Sequence, residues 1–314
     1  MHVARAPHAP AGARFVDPRV LSRIANLELL ARTVVEGFVS GLHRSPHLGL
    51  STDFAEHRPY LPGDDLRRLD WKLWGRTDRF YLKEFEADTN AAVSVLLDCS
   101  PSMRYASGPV SKLDYGRYLA ASLLWFSQSQ RDRVGLATFD RTILEFVPPS
   151  TRHLPNVLHA LDRVEPGVQE ARRAAPGPGM EAPLRECSEH LRRRGIVIVI
   201  SDFYEAPVQV QHALGHLRRR GGDLIVFHLL DPAELAFPFG DAANFEDLET
   251  GERIPVVPSR AGDRYRERLG AHIGELRRLL GRDGIEYSVF DTSKPLDHAL
   301  FTYLSNRQRL ARVR

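Results

Sequence analysis

Between residues 91 and 309, short apolar, β-branched runs alternate with longer stretches whose apolar residues recur every three or four positions. The runs read as buried strands and the longer stretches as amphipathic helices. Strands are predicted at 92–97, 134–139, 196–201, 223–230 and 285–290. Helices are predicted at 111–129, 151–163, 181–194, 207–220, 260–281 and 295–309. The first of these opens on Ser111-Lys112-Leu113-Asp114, a capping-box pattern. Thr142 to Phe146 follows a tight Asp140-Arg141 turn, so it is expected to return antiparallel as a hairpin. A small hairpin is expected around Gly251. This alternation predicts an α/β domain: a mostly parallel sheet with helices on both faces and one antiparallel edge strand.

The first ninety residues are less regular. Residues 1–16 are rich in Pro and Ala and are expected to form a disordered tail. A helix follows, with Asp17 as its cap and Pro18 in its first turn. Val20, Ile24, Leu27, Ala31, Val34, Phe38 and Leu42 then share one face. Residues 44–90 are broken by Pro46, Gly49, Pro59, Pro62 and Gly63. Within them Asp64 and Asp65 suit a helix start. Trp71 and Trp74 share a face of that short helix, and 80–85 alternates as a strand. Three parts are therefore expected: a tail at 1–16, an N-terminal helix and irregular segment at 17–90, and the α/β domain at 91–309.

Composition narrows the class. With 314 residues and 43% hydrophobic content the chain can bury a substantial core. The formal net charge is only +3, and four of the 43 basic residues are lysines. Arg192-Arg193-Arg194 and Arg218-Arg219-Arg220 each end a predicted helix, where cations complement the helix dipole. No aromatic interleaving supports a nucleic-acid surface. Cys99 and Cys187 form no disulfide framework and no zinc spacing, which fits a reducing compartment. The N-terminus lacks the apolar core of a signal peptide. The longest uniformly apolar run, Ile196 to Ile200, falls far short of the roughly 20 residues that span a bilayer. A cytoplasmic protein is expected.

In an open parallel sheet, ligands bind beyond the carboxyl ends of the strands. Asp98, Asp140, Asp202, Asp231 and Asp291 stand at or just after five predicted strand ends. Short polar residues cap such turns, and that alone accounts for Asp140, Asp231 and Asp291. The loop Asp98-Cys99-Ser100-Pro101-Ser102 is richer, with one carboxylate and two hydroxyls that can wind around one centre. Hard oxygen ligands suit Mg²⁺ or Mn²⁺, with Asp202 in support and a coordination position left open. Structural capping is the competing reading of this loop. Ser100 lacks the GxSxG elbow of a serine hydrolase. Gly177-Pro178-Gly179 does not open a phosphate loop, and no histidine pair has the HExxH spacing. His153, His159, His190, His212, His216 and His228 read as ordinary core or surface histidines.

VSVLLDCSPSM followed by IVIVISDFYE resembles von Willebrand factor A domains. FAEHRPYLPGDDLRRLDWKLWGRTDRFYLKEFE resembles the signature of a bacterial domain-of-unknown-function family, number fifty-eight, built on that fold. SKLDYGRYLAASL, DRVGLATFD, DPAELAFPFG, FEDLETGER and IEYSVFDTSKPLDHAL extend the likeness over roughly residues 45–305. The resemblance implies a metal-ion-dependent adhesion-type site at Asp98, Ser100, Ser102 and Asp202. It also implies an adaptor role beside MoxR-type AAA+ ATPases, with no enzymatic activity established for the family as a whole. One position departs from the pattern. Met180 stands where the site takes a Thr, and a thioether is a poor ligand for Mg²⁺. Glu181 is the candidate substitute. The expected function is a non-enzymatic protein-binding module. The alternative is a metal-dependent, phosphoesterase-like hydrolase using Asp98 and Asp202.

Overall fold

A computed structural model describes residues 17–43, 57–59, 81–83, 91–165, 179–191 and 195–313. The tail, Trp71 and Trp74, Gly177-Pro178 and the 192–194 arginines lie outside the described residues.

The main sheet has six strands: β3 (Ala92–Asp98), β4 (Arg133–Phe139), β5 (Ile143–Ser150), β6 (Ile196–Ser201), β7 (Asp223–Leu230) and β10 (Glu286–Asp291). They lie in the order β10-β7-β6-β3-β4-β5. All neighbours are parallel except β4 and β5, which form the expected antiparallel edge. β5 runs on to Ser150, past the predicted end at Phe146. Pro148 and Pro149 are tolerated there because an edge strand need not donate outward. Every residue of β3 is buried, as a strand flanked by β4 and β6 and covered on both faces requires.

Two apolar layers sandwich the sheet. On one face lie α2 (Leu27–His43), α3 (Lys112–Ser129), α4 (Leu154–Asp162) and α9 (Asp297–Val313). On the other lie α5 (Glu181–His190), α6 (Pro207–Arg218) and α8 (Pro258–Arg282). α3 sits close over the sheet, because a Cβ at Gly116 would come within 2.9 Å of Leu97 Cδ1. Two small antiparallel pairs complete the described structure: β1 (His57–Pro59) with β2 (Tyr81–Lys83), and β8 (Ala243–Glu246) with β9 (Arg253–Val256). The second is the expected hairpin, with Gly251 at φ +75° in its turn.

The predicted N-terminal helix is split in two. α1 (Pro18–Leu21) carries the Asp17 cap, with Asp17 Oδ1 accepting the Arg19 N–H at 2.8 Å. α2 starts afresh at Leu27, where Asn26 Oδ1 accepts the Leu29 N–H at 2.9 Å. Asn26 offers the backbone a cap in place of a continued helix. The break shifts the periodic frame, so Val20 is 47% exposed and Leu21 is buried instead. Leu27, Ala31, Val34 and Phe38 of α2 keep the predicted face and, with Leu30, join the core that α3 shares.

Candidate functional site

Parallel register brings the carboxyl ends of β3, β4 and β6 level: Asp98 pairs with Phe139, and Leu97 with Ile200. The polar residues that follow are therefore forced into one cleft. Asp98 ends β3 and is 5% exposed. Its Oδ1 accepts the Ser100 N–H at 2.8 Å, and its Oδ2 accepts the Ser201 hydroxyl at 2.6 Å. The loop then enters a one-turn 3₁₀ helix, Pro101–Arg104, which sets Ser100 Oγ 3.1 Å from Ser102 Oγ. Asp202 follows β6. The next residue, Phe203, has φ +44°, a conformation that costs a bulky side chain about 1–3 kcal/mol.

A pocket of about 160 Å³ opens here. Its polar lining includes the carboxylates of Asp98, Asp140, Asp202, Glu205 and Glu249. Burial, with the charge of Asp202 added, pushes Asp98 up to about 7 from its ordinary 3.8, although the Ser201 and Ser100 hydrogen bonds act the other way. Burial also raises the carboxyls of Asp140 and Glu249. Asp202 has a cation of its own. Lys112, fully buried at the start of α3, donates to Asp202 Oδ2 at 2.8 Å and to Glu234 Oε1 at 2.7 Å. Its ammonium lies 4.6 Å from the Tyr204 ring centroid, and the Tyr204 hydroxyl also bonds Glu234.

The structure brings Asp98, Ser100, Ser102 and Asp202 together as expected. Met180 also borders the pocket, but its side chain is 5% exposed and packs in the apolar cluster with Leu96, Phe139 and Leu184. Glu181 does not line the pocket. Its Oε1 lies 3.1 Å from His212 Nδ1, so it does not stand in for the threonine. Glu205 reaches the Met180 loop instead, accepting the Met180 N–H at 2.7 Å. A Cβ at Gly179 would strike that carboxylate.

Sequence reading missed Lys112, Ser201, Glu205 and Glu249. Glu249 comes from the turn between β8 and β9, and its Oε1 accepts the Ser102 N–H at 2.8 Å across 147 residues. Capping explains two of the other strand-end acids, whereas Asp140, expected to be a turn cap, lines the pocket. Asp231 forms a capping box with Glu234 at α7 (Pro232–Ala236), and Asp291 accepts from Ser293 N at 2.8 Å. Arg218, expected to complement the end of α6, bonds the carbonyls of Gly222 and of Asp283, which follows α8, and so ties the two helix ends together.

The donor set fits a hard divalent cation in part. One carboxylate and two hydroxyls converge, a second carboxylate stands beside them, and no threonine or soft ligand joins. Among the described residues, no histidine lines the pocket. Cys99 is buried, and burial raises its thiol, so it is no nucleophile.

Residues 56–275 match the family model described as Protein of unknown function DUF58. The chain belongs to this family. Uncharacterized protein Rv1480 of Mycobacterium tuberculosis is 23% identical over 295 residues, covering 93% of this chain and 91% of that one. Among solved structures, BatB of Bacteroides thetaiotaomicron is similar at 18% identity and a TM-score of 0.45, covering 69% of this chain and 98% of its own. The SpRpn10 VWA domain is similar at 10% identity and a TM-score of 0.33, covering 67% and 93%. The fold of this DUF58 chain is a mostly parallel sheet with one antiparallel edge strand and helices on both faces, as the sequence predicts. Among the described residues, no helix is long and apolar enough to cross a membrane.

Proposed function

We propose that this chain is a non-enzymatic protein-binding module whose strand-end pocket takes Mg²⁺ or Mn²⁺ and, through it, an acidic side chain of a partner. Asp98, Ser100 and Ser102 would hold the ion, with Asp202 beside them. A bound cation supplies a positive centre that an incoming carboxylate can complete. The observation that carries the reading is Asp98: a buried carboxyl beside a second carboxylate, facing two convergent hydroxyls. Lys112 is shared between Asp202 and Glu234, which leaves Asp98 without a basic hydrogen-bond partner among the described residues. Among the described residues the lining holds no histidine, and the carboxyl poised near neutral pH, Asp98, is also the first candidate ligand for the ion.

The partner class that family resemblance suggests is a MoxR-type AAA+ ATPase, with this chain as its adaptor. Glu249 sits over Ser102, so a partner carboxylate has to approach past the β8–β9 turn. The test is calorimetric titration of the EDTA-treated protein with Mn²⁺ and Mg²⁺. It is paired with capture of a purified MoxR-type ATPase with and without metal. Wild type should bind ion and ATPase together, and Asp98→Ala should lose both. Capture of the ATPase at unchanged affinity by Asp98→Ala and Ser100→Ala would refute the reading.

A further inference from the structure

Outside the pocket, three side chains of metal-ligand type meet where α5 begins beside α6. Glu181 is the first residue of α5. His212 and His216 are four apart on α6, so they share a face one above the other. Glu181 Oε1 lies 3.1 Å from His212 Nδ1 and 3.6 Å from His216 Nε2. The two rings stand 5.4 Å apart and nearly perpendicular, at 84°. One ligand atom from each residue lies within 4.8 Å of the other two. A tetrahedral ion with nitrogen and oxygen ligands at about 2.0–2.1 Å spaces them about 3.3 Å apart. The two separations to Glu181 bracket that value before any ion is present.

The state of His216 is a second, independent sign. Arg219 Nη2 lies 2.8 Å from His216 Nδ1. A guanidinium only donates, so Nδ1 is the acceptor and the neutral ring carries its proton on Nε2. That Nε2 is buried and has no hydrogen-bond partner among the described residues, because Glu181 stands too far off. Buried ring nitrogens are ordinarily satisfied. Metal ligation would satisfy this one: the proton leaves Nε2, Nδ1 becomes the protonated nitrogen, and exposed Arg219 swings away.

We propose that Glu181, His212 and His216 form a site for a divalent transition-metal ion of the zinc or cobalt type. Two imidazoles and one carboxylate suit Zn²⁺, Co²⁺ or Ni²⁺ and not Mg²⁺. The ion fastens α5 to α6, and with three protein ligands it keeps a fourth position for water. The site shares no ligand with the strand-end pocket, so it stands or falls apart from the function proposed above.

The test is a Co²⁺ titration of the EDTA-treated full chain, in excess Mg²⁺ to occupy hard-cation sites, read by visible absorption. Wild type should take up one Co²⁺ with the intense spectrum of a tetrahedral site, and Zn²⁺ should bleach it. His212→Ala and His216→Ala should each weaken binding by at least about tenfold, the loss that even supporting residues of a metal site produce. His212 is exposed, so its variant should keep the wild-type circular dichroism and report ligation alone. Arg219→Gln should tighten binding, since it removes both a competing donor and a like charge. A featureless wild-type titration, or His212→Ala and His216→Ala binding Co²⁺ as wild type does, would overturn the proposal.

Discussion

Asp98→Asn should stabilise the metal-free protein while abolishing its response to metal. In the unfolded chain Asp98 loses its proton near 3.8, whereas in the fold it holds it to about 7. Between those values the native state binds the extra proton, so stability falls as pH rises and the full penalty is present above 7. The lift from 3.8 to about 7, at about 1.36 kcal/mol for each pKa unit, sets the penalty at about 4 kcal/mol. Asparagine removes the charge and keeps the shape. Its carbonyl still accepts the Ser100 N–H, and the Ser201 hydroxyl can turn to accept from the new amide. In EDTA at about pH 8, the variant should therefore gain up to about 4 kcal/mol, shrinking to about 2 near pH 5.5. The assay is urea denaturation of both proteins across that range. Taking the difference between them cancels His228, whose buried ring is held down to about 3 and costs stability below about pH 6.5 in both. Saturating Mn²⁺ should raise the midpoint of wild type only. A variant no more stable than wild type at pH 8, or a gain that does not shrink on acidification, would refute the electrostatic account of the pocket.

Lys112→Met should destabilise the fold by about 3–5 kcal/mol, because it leaves Asp202 and Glu234 charged and unpaired in the interior; thermal denaturation at neutral pH measures it. Glu249→Ala should leave global stability nearly unchanged but speed hydrogen exchange at the Ser102 amide, whose acceptor it removes; amide exchange read by NMR checks this. Mn²⁺ affinity should fall by up to about tenfold for each pH unit below 7, since proton and metal compete for Asp98; calorimetry at two pH values decides it. Leu30→Ala should cost about 2–5 kcal/mol, because α2 is part of the main core and not an appended arm; equilibrium unfolding tests that.

The α/β domain was legible because periodicity and burial agree along it. β3, β6 and β7 are apolar runs flanked by sheet on both sides, and helices such as α8 show one apolar stripe. The N-terminal helix was misread as continuous because apolar residues at steps of three and four run on across the break, although Val20 and Leu21 exchange places before it. Asn26 carried the signal, since a short polar residue before an apolar run is a cap, yet it sat inside a pattern already accounted for by Asp17 and Pro18. The length of β5 was underestimated: it runs on through Pro148 and Pro149, residues that an edge strand tolerates and a central one would not.

Legibility at the site divides by sequence distance. Asp98, Ser100 and Ser102 are neighbours, so one loop announced them, and Asp202 followed because parallel register sets adjacent strand ends level. Glu249 reaches Ser102 from 147 residues away through a solvent-exposed hairpin, and no local pattern predicts that contact. The His212/His216 pair was visible as a four-residue spacing on a predicted helix, but its third member was assigned to the pocket merely for standing next to Met180. A helix start turns consecutive residues about 100° apart, so Met180 can enter the core while Glu181 faces α6. Lys112 stood out in the sequence only as part of a helix-start pattern, yet it divides the labour of the two central acids. By holding Asp202 in a permanent ion pair it makes that carboxylate part of the scaffold, and it leaves Asp98 as the group whose charge depends on what enters the pocket. On the function proposed above, a site built this way would answer to a cation at one carboxylate, Asp98, while the Lys112 ion pair holds the other in place.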